Sequence, residues 1–464
     1  MFPPCPFPAQ LPELREASAP APVPATGAKS DRDASGPWPH QRASTNFIVK
    51  WGSSGGVEDA DADAVLALFE TAWSVEIDQM GHAPPAGAAT WRFNVYLGDT
   101  GDGTPPTYGY AGYYTVDAEG WPMVVLNPAA LAGGYASGTT AHEFYHAVQH
   151  ATGAYLEDPD AAWWWEATAM WVEGEVWPDD PDESTFTFGF GLAPQLPLWW
   201  DERFEDGNLT EYHPYGAFLF PRFLTDIVGD RALVTGTWTD AAGAATPQAR
   251  LAQRLDFGAT FGLFIAHNAR WDYPDGALYG ANVDAWRDTF GDDVDAGEVA
   301  ARMIGPGATG GMLVHGGGYV QVDLVDPGDQ VWTATVSPAD GAELVGAVVR
   351  DTSTGLESLP LLADEAGGLT TTWTSSAAEG ATRVVIGALT PADVPWAVTL
   401  VLGASDPVEE ESVPPEDTGQ GAVTACGCTA SPPAPLGMGV LALVALTRRR
   451  VRPRAPSPRW SRMR

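Results

Sequence analysis

Cysteine is almost missing from this chain: of 464 residues only Cys5, Cys426 and Cys428 are cysteines. A core without cysteine excludes a disulfide framework and any thiolate-held zinc site. Basic residues are scarce too, with 24 Lys and Arg against 60 Asp and Glu and a formal net charge of −36. That balance excludes the basic face of a nucleic-acid binder. It suits a soluble, exposed protein, including one living in salt. No basic segment followed by an apolar one opens the chain, so no secretory signal is visible. Acid-rich stretches such as Asp179-Asp180-Pro181-Asp182-Glu183 lack EF-hand spacing for Ca²⁺, and solvated loops are their expected setting.

Histidine is also rare, with eight in the chain, which makes His142-Glu143-Phe144-Tyr145-His146 hard to attribute to chance. Residues four apart share one face of a helix, so both imidazoles can reach one metal ion. Neutral imidazole suits Zn²⁺, and Glu143 lies beside the pair, where a base would act on metal-bound water. A catalytic zinc takes a third protein ligand and keeps a fourth position for water. The best candidate is Glu166, inside a run of helix formers and bulky apolar residues over 161–173. Before it, Thr152-Gly153 and Glu157-Asp158-Pro159-Asp160 read as a helix stop and a new start. Two antiparallel helices would return Glu166 to the histidines. Three preceding tryptophans give it apolar surroundings, where a lone carboxylate needs a cationic partner.

HExxH followed at this interval by a helix carrying Glu resembles the gluzincin metallopeptidases. More narrowly, the HEFYHAVQ and WWWEATAMWVE stretches resemble a group of secreted metalloproteases from myxobacteria, with a likeness spanning residues 45–300. The resemblance implies an α+β fold: a zincin-like domain of twisted sheet, active-site helix and helical second half. It makes His142, His146 and Glu166 the zinc ligands and Glu143 the general base of an endopeptidase acting on extracellular proteins or peptides. An aminopeptidase is a second reading, although no Gly-x-Met-Glu-Asn-type segment precedes the histidines. The chain departs from the family at Met170, where many gluzincins have an Asp that supports the first His. That support is missing here or comes from elsewhere. Glu173, on Glu166's helix face, reads equally as a partner of a ligand or as a surface charge.

Other residues have competing readings. Thr140 and Glu143 fit S/T-x-x-E, so Glu143 could close a capping box, but that leaves the histidine spacing unexplained. His150 does not complete a three-His pattern, because Gln149 and Thr152 stand where Gly and His are needed; it reads as a helix-end residue facing the dipole. A donor to a tetrahedral oxyanion is also needed. Related proteases use His or Tyr there, which points to His213 or Tyr215. The alternative is a helix start, with Pro214 in the first turn and the aromatics in the core. The tryptophans read either as apolar subsites or as core.

Length allows two or three domains. Residues 1–44, rich in Pro, Ala and Ser, read as a disordered leader; Cys5 there could plug the zinc of a latent enzyme. Residues 45–304 hold the catalytic domain, with strands at 46–51, 91–97 and 123–126, a strand or loop at 108–115 and a helix over 57–80. After Glu166, helices are expected at 212–228, 247–271 and 281–290. Residues 305–403, Val/Thr/Gly-rich with regular turns, read as an all-β sandwich. An acidic linker, 404–425, precedes Cys426-Gly427-Cys428, a short apolar run and an Arg cluster. Eight of the chain's basic residues, all Arg, follow Thr447 without an acid. The apolar run is short for a span. This Cys–apolar–Arg order over 426–464 resembles the C-terminal sorting tail of myxobacterial surface proteins. It implies export, anchoring through Cys426 or Cys428, and a partner protease that processes the tail. A weak membrane-associating tail is the plainer reading. Export without a visible signal leads to the expectation that the true signal sequence precedes this start. The reading from another functional class is a surface-anchored binding or adhesion protein with a structural or inactive zinc site.

Overall fold

The computed structural model describes residues 28–406 apart from 157, 181, 201–208, 241–245, 291–307, 325–327, 338–340, 377–378 and 392–393. Five residues without polar alternation, Phe47–Trp51 (β2), form a strand buried along its length. A strand of that kind needs cover on both faces. It lies in a five-stranded sheet with β1 (His40–Ala43), β3 (Phe93–Leu97), β4 (Gly112–Val116) and β5 (Pro122–Leu126), in the order β1-β2-β3-β5-β4. The three central strands are parallel, and antiparallel β1 and β4 form the edges.

On the inner face Phe47, Val49, Phe93 and Val95 pack against α1 (Asp59–Trp73) and the longer helix Ala136–Thr152. Phe144 sits at the centre of that packing, with its ring 5.1 Å from Phe47 and 5.8 Å from Trp73. On the outer face, residues 28–39 cover Lys50, Asn94 and Tyr96. The expectation of a disordered leader over 1–44 therefore fails for its described part. Ser30 bridges to Trp91, His40–Ala43 pairs with β2, and Asp31 supplies a counter-charge to Lys50. Residues 1–27, including Cys5, lie outside the described residues, as do 407–464 with Cys426, Cys428 and the apolar–Arg tail.

Helix α1 starts at Glu58, whose side chain forms a capping box with Asp61, and runs into a π-helical turn, Ser74–Gln79. A short α2 (Pro128–Gly133) has Asn127 as its cap and left-handed Gly134 as its stop. Then come α3 (Ala136–Thr152), ended by Gly153 at φ 67°, and α4 (Ala162–Val176), buried on nearly every side. Because α3 begins at Ala136, Thr140 and Glu143 lie inside it, and the Thr140 hydroxyl donates to the Ala136 carbonyl at 2.6 Å. The capping-box reading is thereby corrected.

The rest of this half is helical: α5 (Thr187–Gly191), α6 (His213–Gly216), α7 (Leu219–Asp226), α8 (Arg231–Thr239), α9 (Pro247–Ala252), α10 (Phe257–Asn268) and α11 (Gly276–Phe290). The single helix expected over 247–271 is two, because Asp256 caps a new start by accepting from Ala259 N–H.

From Ala308 to Ser405, β6 (Ala308–Val314), β7 (Tyr319–Leu324), β8 (Gln330–Ser337), β9 (Leu344–Thr352), β10 (Gly355–Pro360), β11 (Leu362–Ala363), β12 (Leu369–Ser375), β13 (Thr382–Ala388) and β14 (Trp396–Ser405) build two antiparallel sheets, β10-β9-β13-β7 and β11-β12-β8-β14-β6. Alternate residues such as Val320, Val322, Val336, Val348 and Leu400 fill the space between them, as in a sandwich. Strand β14 (Trp396–Ser405) carries this part past the boundary expected at 403. It is joined to the helical half by more than a linker. Phe261 and Ile265 of α10 approach Gly387, and Tyr319 N–H donates to the Pro194 carbonyl at 2.7 Å. Among the described residues no helix is long and apolar enough to cross a membrane.

Candidate metal centre

Helix periodicity puts His142 and His146 on one face of α3, with ring centroids 4.7 Å apart. Packing of α4 against α3 returns Glu166 to them. Glu166 Oε2 lies 3.0 Å from His142 Nε2 and 3.7 Å from His146 Nε2. Among the described residues these three form the one group of at least three such side chains whose ligand atoms all lie within 4.8 Å of one another. Metal bonds of about 2.0–2.1 Å in a tetrahedron give ligand separations of about 3.3 Å. The two measured separations bracket that value.

The hydrogen bonds around the histidines decide which nitrogens carry lone pairs. Glu173 Oε1 lies 2.9 Å from His142 Nδ1, and a carboxylate accepts, so Nδ1 carries the hydrogen and Nε2 faces Glu166. For His146 the same task falls to Gln149. Its Nε2 donates to the Trp165 carbonyl and to Thr168 Oγ1, each at 2.9 Å. Thr168 in turn donates to the Trp164 carbonyl at 2.7 Å, which leaves it an acceptor for Gln149. Gln149 Oε1 must therefore face His146 Nδ1, 2.7 Å away, and Nδ1 is the donor. His146 Nε2 and Glu166 Oε1 are then buried acceptors without a hydrogen-bond partner among the described residues. Acceptors converging in a dry site call for a cation. This group could hold a metal ion.

Burial raises Glu166, but the nearness of His146 and His142 outweighs it and lowers the carboxyl to about 2. Glu143 is 2% exposed, and burial raises its pKa against the opposing pull of His142 and His146. The backbone N–H of Tyr114 on edge strand β4 also donates to its carboxylate. Burial likewise raises Glu173, and its bond to His142 opposes the rise.

The remaining sequence candidates separate clearly. Tyr215 reaches the centre: its ring stacks on His142 at 5.8 Å and 6°. His213 does not act there. It is fully buried, with Nδ1 3.2 Å from the Gly189 carbonyl and Nε2 2.9 Å from the Pro197 carbonyl, so both nitrogens serve backbone. That corrects its assignment as an oxyanion donor; it is a packed residue at a helix start. His150 Nδ1 meets the Tyr114 hydroxyl at 2.5 Å rather than serving only the helix dipole. Trp163, Trp164, Trp165 and Trp171 are wholly buried and form core, not subsites. Asp179 and Asp180 are exposed as expected, but Glu183 is not solvated: it is 2% exposed, and its Oε1 lies 3.4 Å from Arg222. Burial raises Glu183 to about 8.

Sequence reading missed the roles of Gln149 and of the Tyr114 backbone. The first had a signal, because a polar residue three positions after His146 lies on the same helix side. The second had none, since a backbone donor is set by strand placement alone.

Fold and site together define a mixed helix-and-sheet protein with a buried His₂Glu group on adjacent helices. Residues 18–301, more than half of the chain, match the family of unknown function DUF6055, and the protein belongs to that family. No curated protein matches the chain. Among solved structures, the pre-peptidase C-terminal domain of a collagenase from Bacillus anthracis is similar at 10% identity and TM-score 0.19. The likeness covers 24% of this chain and 99% of that one and is too slight to bear on function.

Proposed function

We propose that this protein is a zinc-dependent endopeptidase of gluzincin type, with a zincin-like catalytic half. The observation that carries the reading is the convergence of His142, His146 and Glu166, with the buried carboxylate of Glu143 beside them. Hydrogen bonds at Nδ1 leave the Nε2 atom of both imidazoles turned to the site, the side a zinc site would use, and a single carboxylate completes the three-ligand set of a catalytic site. Zinc bound there would acidify a water and polarise a peptide carbonyl. Glu143 would take the proton and return it to the leaving amine. Its raised pKa favours that exchange, because the carboxyl gives up a proton less readily than a solvated one. Tyr215, stacked on His142, is the side chain suited to donate to the developing oxyanion. Among the described residues edge strand β4 has a strand partner on one side only, so an extended peptide could pair on the other, beside Glu143.

The two candidates for a closing fourth ligand are both engaged elsewhere. Glu173 serves His142 Nδ1, and His150 meets Tyr114. That favours an open position over a structural zinc site in an adhesion protein. Zinc content and casein cleavage of the purified chain, beside Glu143→Gln, test the reading. One zinc in both proteins with cleavage only by the parent supports it. Zinc in both with cleavage by neither, under varied salt and calcium, turns the reading toward a binding protein. No zinc in either removes the ligand assignment.

A further inference from the structure

The sheet face opposite α3 holds a second buried cluster whose chemistry the metal centre does not use. Lys50 on β2 and Asn94 on β3 sit on neighbouring parallel strands, with Ile48 paired to Asn94 and Lys50 to Tyr96. Alternation sends both side chains to the same face. Lys50 has no exposure and Asn94 has 5%. Lys50 Nζ lies 3.2 Å from Asn94 Oδ1 and 2.7 Å from Asp31 Oδ1. Asp33 Oδ2 accepts from Asn94 Nδ2 at 2.6 Å and from the Tyr96 hydroxyl at 3.1 Å, and it stands 4.0 Å from Lys50 Nζ. Because Asp33 only accepts, it fixes the amide with its NH₂ toward the carboxylate and its carbonyl toward the amine. The rings of Trp38 and Tyr96 flank Lys50 at 4.9 and 5.8 Å.

A buried ion pair would need only Lys50 and one aspartate. That pairing, even with Arg32 2.9 Å from Asp33, does not explain an amide carbonyl held against the same amine. Those are the parts of an acyl transfer: a nucleophile beside a base, an oriented electrophile, and a proton carrier at the leaving group. Nζ lies 3.2 Å from the oxygen of the amide it would attack, so the two groups are held in contact, and proximity of that kind lowers the barrier to reaction.

We propose that Lys50 and Asn94 react with each other to form an intramolecular isopeptide bond. The Lys50 ammonium passes one proton to Asp31, and the free amine attacks Asn94 Cγ. The Nζ–Cγ bond forms as the Cγ–Nδ2 bond breaks. Asp33 takes a second proton from Nζ and hands it to Nδ2, which leaves as ammonia. Nζ keeps one hydrogen as an amide N–H, Asp31 ends protonated, and no oxidant or external reagent is needed. The product ties β2 covalently to β3 beneath residues 28–39.

The test reads mass rather than activity, so it stands apart from the protease reading. The purified, denatured full chain should be lighter than its sequence by one ammonia. Proteolysis should release a branched peptide joining the Lys50 and Asn94 segments. Asp33→Asn keeps both reacting groups but removes the proton carrier, and it should retain the unreacted mass. Parent protein at its full sequence mass overturns the proposal whether or not any variant folds. Loss of one water, with Lys50 joined to Asp31, overturns the assignment of Asn94.

Discussion

The two faces of the five-stranded sheet both bury ionisable groups, and they satisfy them in opposite ways. On the outer face Lys50 meets Asp31, while Arg32 meets Asp33 and Asp117, so each cation finds a carboxylate of the chain itself. On the inner face Glu173 and Gln149 occupy the Nδ1 positions of the two histidines. His146 Nε2 and Glu166 Oε1 remain there as acceptors without donors among the described residues. On the outer face the charges are answered within the chain, whereas the acceptors on the inner face could take a metal ion from outside.

The contrast can be broken most severely at Glu143. Glu143→Gln should lower kcat by about 10²–10⁴-fold, the usual contribution of a general base, with zinc content unchanged. Steady-state cleavage together with elemental analysis checks this, and a matching loss of zinc would instead make Glu143 a structural residue. On the outer face Lys50→Met removes both the amine facing Asp31 and the proposed cross-link to Asn94, while Arg32 stays on Asp33. Urea unfolding should show a loss of about 3–5 kcal/mol, with zinc affinity unaffected if the two faces are independent.

Two histidines away from the ligand set give a third comparison. Burial lowers both His82 and His213 to about 4, in His213 against two carbonyls that favour the charged ring. Their folded pKa values lie below the unfolded value of about 6.5, so the unfolded chain binds more protons in between. Stability is therefore full above about pH 6.5 and falls as pH drops toward 4, by up to about 3 kcal/mol for each histidine. Urea midpoints of metal-free protein across that window measure it, and His213→Gln should flatten the slope. The smallest effect belongs to the partner of the first ligand. Glu173→Ala should weaken zinc binding by about 10–100-fold, read by competition with a chelator, and Glu173→Gln should recover part of it.

How far these features can be read from residue order depends on the range of the interaction. The histidine pair was legible because four residues on a helix is a local distance. Strand β2 and the alternating strands after Gly305 followed from equally local patterns. The roles of His213 and Tyr215 were not legible, although they lie two residues apart. One ring turns to the carbonyls of 189 and 197 and the other to His142, a choice made by segments that arrive from elsewhere in the chain. The segment 28–44 looked unstructured because its composition is poor in apolar residues. Its order comes from Asp31 and Asp33, whose buried partners Lys50 and Asn94 lie far along the chain.

By itself, then, the sequence determined the ligand types, their helix face, the excess of acid and the change to β structure. These depend on residue chemistry and on periods of two or 3.6 residues. Only tertiary structure decided that Glu173 bonds His142 Nδ1, that the Trp165 carbonyl and Thr168 orient the Gln149 amide, and that a lysine lies against an amide under the sheet. Each of those outcomes is a hydrogen bond a few ångströms long between residues brought together by packing, and no local pattern encodes which partner arrives.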